Sequence, residues 1–346
     1  MSQSILHTEI HEQPSVVQEL LEKETDNVWK ISQELSGRFE YILIAARGTS
    51  DNAARYAQYR LGIANRLSVA LATPSVFTTY QAQPILSGAL VMGISQSGRS
   101  PDIVSVIEEG KRQGRPTLAI TNAPDSPLAK AADYVIPLHA WPEQAVAATK
   151  SYTASLAALA LFSCALNDDH SALDQLQQIP AWMLHTLQIT QTILPRVERY
   201  RYTDHCVVLG RGLNYATAFE VALKIKELTR IITEPYSSAD FLHGPVAMVG
   251  RGFPCLVIAP RGQTLEDMRA LLTRLAEAKA ELLIISDQED LLTQAHLPLR
   301  LPPGIPEWLS PCVAILPGQL FAMTLAAARG LNVDRPEGLT KVTETW

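Results

Sequence analysis

Three pairs of landmarks in this sequence share one spacing. Arg47-Gly48 and Arg211-Gly212, Gly98 and Gly262, and Leu118-Ala119-Ile120 and Leu282-Leu283-Ile284 each stand 164 residues apart. A common offset of that length is what tandem duplication of one structural unit leaves behind. Each copy must then bury its own core, and 346 residues allow two domains of that size. In the first copy, apolar runs predict strands at 40–46, 67–72, 89–95, 117–122 and 134–138, with helical patterns such as 52–61 and 103–111 between most of them. Such alternation predicts an α/β fold, with parallel strands and helices on both faces. The second copy repeats the plan with strands at 206–210 and 256–259. The connection across 151–199 is mostly helical, punctuated by Pro180 and Pro195.

The copies are not chemically equal. In the first, Gly93-Ile94-Ser95-Gln96-Ser97-Gly98-Arg99-Ser100-Pro101-Asp102 leaves an apolar run and enters a helical pattern. Strand, hydroxyl-rich turn and early proline build an anion site, because unpaired N–H groups, the positive dipole end and serine hydroxyls converge there. Ser100 is the predicted N-cap, Pro101 suits the first helical position, and Gly98 is expected to let the backbone close on a guest. Each charge-assisted bond to a phosphate contributes about 1.5–3 kcal/mol. The spacing matches neither G-x-G-x-x-G nor a P-loop, and a serine-rich turn with an ordinary cap has the same composition. Arg47-Gly48-Thr49-Ser50, however, places a second hydroxyl-bearing turn at the carboxyl edge of the sheet, where open α/β sheets bind ligands. The second copy has Ala259-Pro260-Arg261-Gly262 in place of Ser95-Gln96-Ser97-Gly98. Only the first is expected to keep a phosphate cradle.

Composition narrows the partners. Charged residues make up 18% of the chain and apolar ones 47%, which excludes a disordered chain and fits broad buried surfaces. With a net charge of −6 and no basic run, nucleic acid is not an expected partner. Cys164, Cys206, Cys255 and Cys312 lie far apart in apolar surroundings, the pattern of buried thiols in a reducing compartment. The chain has eight histidines, and no structural metal is expected. Residues 1–23 have no apolar signal core, and 1–26 read as a polar helix on the domain surface or against another subunit. Of the greasiest stretches, 156–166 is too short to span a bilayer and 313–328 contains Pro317 and Gln319. A soluble, cytoplasmic protein without a membrane partner is expected.

Further motifs follow in order: Glu143 with Val146-Ala147-Ala148-Thr149-Lys150, Leu209-Gly210-Arg211-Gly212, Ala222-Leu223-Lys224-Ile225-Lys226-Glu227, His243-Gly244-Pro245, and Asn332-Val333-Asp334-Arg335-Pro336 with Leu339 and Lys341. With the two hydroxyl-bearing turns, these stretches resemble the sugar isomerase (SIS) family over residues 40–346, specifically the isomerase half of glucosamine-6-phosphate synthase. The resemblance implies two tandem flavodoxin-like, three-layer αβα domains with parallel sheets. It divides the chain into an N-terminal helix (1–26), a phosphate-binding domain (27–170), a helical connection (171–198), a catalytic domain (199–330) and a tail (331–346).

By the same resemblance, Gly48, Thr49, Ser50, Ser95, Gln96, Ser97 and Ser100 bind the phosphate of a hexose 6-phosphate, with Glu143, Val146 and Ala147 near the sugar. Glu227 is the implied base between C1 and C2. His243 is the implied ring-opening residue, contributed by the neighbouring subunit of a homodimer. Lys341 is the implied imine-forming lysine, accompanied by Lys224, and no cofactor is implied. Removing a proton alpha to a carbonyl does call for a placed carboxylate and nearby cations. Glu220, Lys224 and Glu227 fall on one helical face. Such spacing also fits a solvated stripe of ion pairs, but Ala216, Ala218, Val221, Ala222 and Leu223 make the helix apolar around much of its circumference.

The departures point to chemistry. The chain opens Met1-Ser2-Gln3 and its first cysteine is Cys164, so the synthase's glutaminase nucleophile is not expected. Gly98-Arg99-Ser100-Pro101-Asp102 and Ala147-Ala148-Thr149-Lys150-Ser151-Tyr152 are similar to stand-alone SIS-type glucosamine-6-phosphate deaminases. Glu337-Gly338 and Thr340 differ from the synthase tail. The expected activity is conversion of glucosamine 6-phosphate and water to fructose 6-phosphate and ammonia. A fructosamine-6-phosphate deglycase, another ketose/aldose 6-phosphate isomerase and a non-catalytic sugar-phosphate sensor are the alternatives.

Overall fold

Both halves of the chain wind the same sheet. The structure is a computed structural model that describes residues 4–341. Strands β1 (Tyr41–Ala45), β2 (Ser68–Leu71), β3 (Ala89–Ser95), β4 (Thr117–Thr121) and β5 (Tyr134–Pro137) are all parallel, in the order β2-β1-β3-β4-β5. Strands β6 (His205–Gly210), β7 (Ile232–Ser237), β8 (Pro254–Ile258), β9 (Glu281–Ser286) and β10 (Leu297–Arg300) repeat that order as β7-β6-β8-β9-β10, again parallel. The order reverses at β1/β3 and β6/β8, so the crevice beyond those carboxyl ends is where ligands of such sheets bind.

The duplication reaches the dihedrals. Gly48, ahead of the helix Thr49–Asn65, has φ 53° and ψ −126°; Gly212, ahead of the helix Leu213–Thr229, has φ 57° and ψ −129°. The expected strands match to within one or two residues, and the helix Pro101–Arg112 begins at the predicted proline.

The described residues fall into two compact units. One comprises 15–143, 150–178 and 340–341. Its core packs Leu43 and Val91 of the sheet against Ile103, Val106, Ile107 and Leu128. The apolar helix Lys150–Leu166 is buried almost throughout, and Ser32 Oγ donates to the Ala165 carbonyl at 2.8 Å. The other unit comprises 4–14, 144–149 and 179–339. There Leu209, Val257 and Ile284 pack against Met268, Leu271 and Leu275. The helix Ser310–Ala328 belongs to a stretch long and apolar enough to cross a membrane, but 83% of that apolar window is buried inside the protein, as in a core helix.

The N-terminal helix corrects the sequence reading. It runs Ile5–Leu35, through Pro14, and Leu6, Ile10, Val17, Leu20, Leu21, Val28, Ile31 and Leu35 are buried. Their spacing of three, four and seven is an amphipathic stripe that the intervening acids and amides conceal in the composition. It is a core element, not a polar surface helix.

Candidate active site

At the end of β3 the backbone closes on its own hydroxyls. Ser95 Oγ accepts the Gly98 N–H at 3.1 Å and Ser97 Oγ accepts the Arg99 N–H at 3.4 Å. Each hydroxyl keeps its own proton to donate to a guest oxygen. Ser95 is buried, Gln96, Ser97 and Ser100 are half-buried, and Arg99 is exposed. Ser100 takes the N-cap position, but its side chain makes no capping bond. Gly98 has φ 61°, and an added Cβ would stand 2.1 Å from Ser126 Oγ and 3.1 Å from Thr121 Oγ1, so the neighbouring loop by itself requires the glycine.

The β1 turn is braced against the same helix. Arg47 Nε donates to Asp102 Oδ2 at 2.8 Å, and the Asp102 side chain is 1% exposed. Asp102 is a residue that sequence reasoning missed. An acid at the second position of the helix that follows the hydroxyl-rich turn was the available signal, since a buried carboxylate needs a cation beside it. Gly48, Thr49 and Ser50 begin the next helix, with the Ser50 N–H on the Arg47 carbonyl at 3.1 Å.

In the same unit Glu143 and Lys341 come together. Lys341 Nζ lies 3.1 Å from Glu143 Oε2, the same oxygen takes the Ser151 hydroxyl at 2.8 Å, and Oε1 takes the Ser151 N–H at 3.1 Å. The carboxylate is fully buried while the lysine is one quarter exposed. Ser151 is the partner that fixes the pair.

The other unit builds a charged cluster on the helix Leu213–Thr229. Lys224 Nζ sits 2.6 Å from Glu227 Oε2 and 3.4 Å from Glu220 Oε1. Glu220 and Lys224 are buried, and only Glu227 reaches solvent, at 24% side-chain exposure. Apolar neighbours on nearly every side decide against the solvated stripe. His243 is exposed at the end of the short helix Ser238–Leu242, its N–H on the Asp240 carbonyl at 3.1 Å. The Val146 N–H is taken by the Asp334 carbonyl at 3.0 Å, and Ala147 is buried. No group of three or more His, Cys, Asp or Glu able to hold a metal occurs among the described residues.

The SIS domain model matches residues 40–165 and 200–329. The chain therefore belongs to the SIS domain family and carries the domain twice. It is similar to the glutamine–fructose-6-phosphate aminotransferase (isomerizing) of Pyrococcus horikoshii, with 33% identity over 96% of this chain and 56% of the relative. The chain thus spans about half the length of the curated relatives it matches. Among solved structures it resembles the C-terminal domain of glucosamine-fructose-6-phosphate aminotransferase from Francisella tularensis, with a TM-score of 0.87, 27% identity and coverage of 96% and 98% of the two chains. It also resembles a candidate phosphosugar isomerase from Silicibacter pomeroyi, with a TM-score of 0.85, 30% identity and coverage of 96% and 99%. Its homologues are thus aminotransferase isomerase domains and phosphosugar isomerases.

Proposed function

We propose that this chain binds an amino-sugar 6-phosphate and deaminates it with isomerisation, taking glucosamine 6-phosphate and water to fructose 6-phosphate and ammonia. One observation carries the reading: the Glu227 carboxylate, partly open to solvent, is held 2.6 Å from a lysine that is 1% exposed. A base for a weak carbon acid needs that combination of a fixed position and an open side. The relatives support the substrate class, since their names pair an isomerising activity with fructose 6-phosphate.

In this reading the Ser95–Ser100 turn and Thr49-Ser50 anchor the phosphate. His243 opens the ring. Its exposure, with Leu242 and Met248 also exposed beside it, supports its assignment to a neighbouring copy in a cytoplasmic homodimer. Glu227 removes the C2 proton of the open-chain aldehyde and delivers it to C1, and Lys224 offsets the negative charge that develops between. C1 is reduced as C2 is oxidised to an imine, so no external oxidant is needed. Water then replaces nitrogen at C2, directly or after the Lys341 amine, which Glu143 holds in place. The test is incubation of the protein with glucosamine 6-phosphate, reading ammonia and fructose 6-phosphate together. Equal amounts of both are expected; a folded protein that releases neither overturns the reading.

A further inference from the structure

The repeat contains a fourth pair that the sequence landmarks did not include. Pro142-Glu143 and Pro306-Glu307 also stand 164 residues apart. Each precedes the long apolar helix of its half, and yet the two glutamates do different things. Glu143 is turned onto Ser151 and Lys341. Glu307 is turned onto the loop after β8. Its Oε2 accepts the Gln263 N–H at 2.8 Å and its Oε1 accepts the Thr264 hydroxyl at 3.3 Å.

Gln263 and Thr264 are the counterparts of Arg99 and Ser100, at the start of the 13-residue helix Leu265–Glu277. The carboxylate also lies against the backbone of Gly262, the counterpart of Gly98. A Cβ there would stand 2.2 Å from Glu307 Cδ and 2.6 Å from Oε2. A second acid is engaged on the same loop. Asp287 Oδ1 accepts the Arg261 N–H at 2.8 Å, and the first copy has Ala123 at the position of Asp287. The acids inside the helix do not repel these groups outright, because Glu266 pairs with Arg269 at 3.2 Å and Asp267 with Arg211 at 3.5 Å.

We infer that Glu307 is an internal anion held by the second loop at the place equivalent to the first cradle, on a backbone that has diverged from it (φ 61° at Gly98, 150° at Gly262), an inference that rests on the phosphate reading of the first turn. The helix-start N–H and hydroxyl survive in both halves. The second half has exchanged a diffusible guest for a tethered carboxylate, whose effective concentration no free anion matches. Removing that carboxylate opens a seat for a small oxyanion, carboxylate or phosphate, on an exposed loop.

The experiment compares the full-length protein with Glu307→Ala and Glu307→Gln in chloride, acetate and inorganic phosphate at equal ionic strength. Loss of a charge-assisted pair of bonds lowers the melting temperature of Glu307→Ala by about 2–8 °C in chloride. Acetate and phosphate at tens of millimolar recover at least half of that deficit. Acetate leaves the unmodified protein where chloride does, and calorimetry finds one more phosphate per chain on Glu307→Ala than on the unmodified protein. Glu307→Gln fills the seat without charge, so it loses less stability and gains nothing from acetate. Unchanged melting of Glu307→Ala in chloride, or a deficit indifferent to both anions, overturns the inference. So does a Glu307→Gln protein as stable as the original, the reading that remains should Glu307→Ala not fold. Ser97→Ala acts only on the first turn, so a failure of the phosphate reading there leaves the acetate response of the second turn unaffected.

Discussion

The turns after β3 and β8 stand at equivalent places in the repeat but differ in backbone and in what closes them, with φ 61° at Gly98 and 150° at Gly262. In the first, Ser95 and Ser97 close the loop with their own oxygens, and Ser100 at the helix start makes no capping bond. In the second, Ala259 and Pro260 offer no hydroxyl, and Glu307 and Asp287 take the loop's N–H groups. The arginine after the first strand of each half follows the same division. Arg47 grips a buried Asp102 at 2.8 Å, whereas Arg211 reaches an exposed Asp267 at 3.5 Å. Asp102 is buried and Arg47 half-exposed, so loss of the arginine would leave a buried carboxylate unpaired, which favours keeping that turn in one geometry. Both loops satisfy their own N–H groups, but the first does so with hydroxyls, which keep a proton to donate, and the second with carboxylates, which do not. The buried charged cluster of Glu220, Lys224 and Glu227, on the helix after β6, lies in the half whose loop is occupied.

The largest effect that tests this division is on the base. Glu227→Gln keeps the shape and a contact to Lys224 but cannot take a proton. Turnover of glucosamine 6-phosphate should fall by about 10²–10⁴ with KM little changed. A rise in KM with kcat preserved would place binding, not chemistry, in the second half. Next comes the phosphate. Ser97→Ala removes one charge-assisted bond of about 1.5–3 kcal/mol, so KM should rise by about 10–150-fold. Thr264→Ala, its nearest equivalent in function on the second turn, should leave KM within about twofold, because that hydroxyl serves Glu307. Equal effects from the two would erase the asymmetry.

The glycines sharpen the comparison at lower amplitude. Gly98→Ala meets Ser126 at its Cβ, 2.6 Å away, as well as its Oγ, so turning the hydroxyl does not relieve the clash, and it should cost about 2–3 kcal/mol of stability in urea titrations. Gly262→Ala meets the end of a flexible Glu307 side chain, which can leave, so its steric share is smaller, while the strain of a side chain at φ 150° remains. In the double variant with Glu307→Ala that cost should shrink further, with a coupling of about 1 kcal/mol. Strict additivity would mean that Glu307 does not rest against Gly262.

Most of the fold was legible because strand periodicity, proline at the start of Pro101–Arg112 and one repeated offset are local signals. Of the candidate site, the Ser95–Ser100 turn and the helical face of Glu220, Lys224 and Glu227 follow from local pattern, whereas Glu143 and Lys341 are singled out only by the family resemblance. What these residues hold was not legible. That Glu143 meets Lys341 across 198 positions, or that Asp102 braces Arg47, is a tertiary fact with no local signature. Gly98 is a glycine read as a close approach, and the neighbour it meets, Ser126, could not be read from the motif. The Ile5–Leu35 stripe was hidden because its apolar residues are sparse enough for acids to dominate the average. Glu307 was within reach, since its offset is the same 164 residues, but a proline–glutamate pair is too common to stand out unless the first copy's acid is already known to matter.

The smallest effect per residue compares the halves through their thiols. Burial pushes Cys164 of the first unit up to about 11, and Cys206, Cys255 and Cys312 of the second up to about 11, 12 and 12. A nearby Arg60 partly opposes the shift at Cys164, and a hydrogen bond to Thr233 does so at Cys206. The unfolded chain gives up these protons near the ordinary thiol value while the folded chain retains them. Stability from each thiol is therefore complete below about pH 8.5–9 and is lost as pH rises toward the folded values, at most about 1.4 kcal/mol per pH unit for each. Three such groups against one make the second unit the more alkali-sensitive. Hydrogen exchange followed by mass spectrometry at pH 8 and pH 10, corrected for the intrinsic pH dependence of exchange, should show its protection falling faster, and Cys255→Ala should reduce that difference. Equal losses in the two units would show that burial of thiols does not distinguish the halves, leaving their contrast to the turns alone.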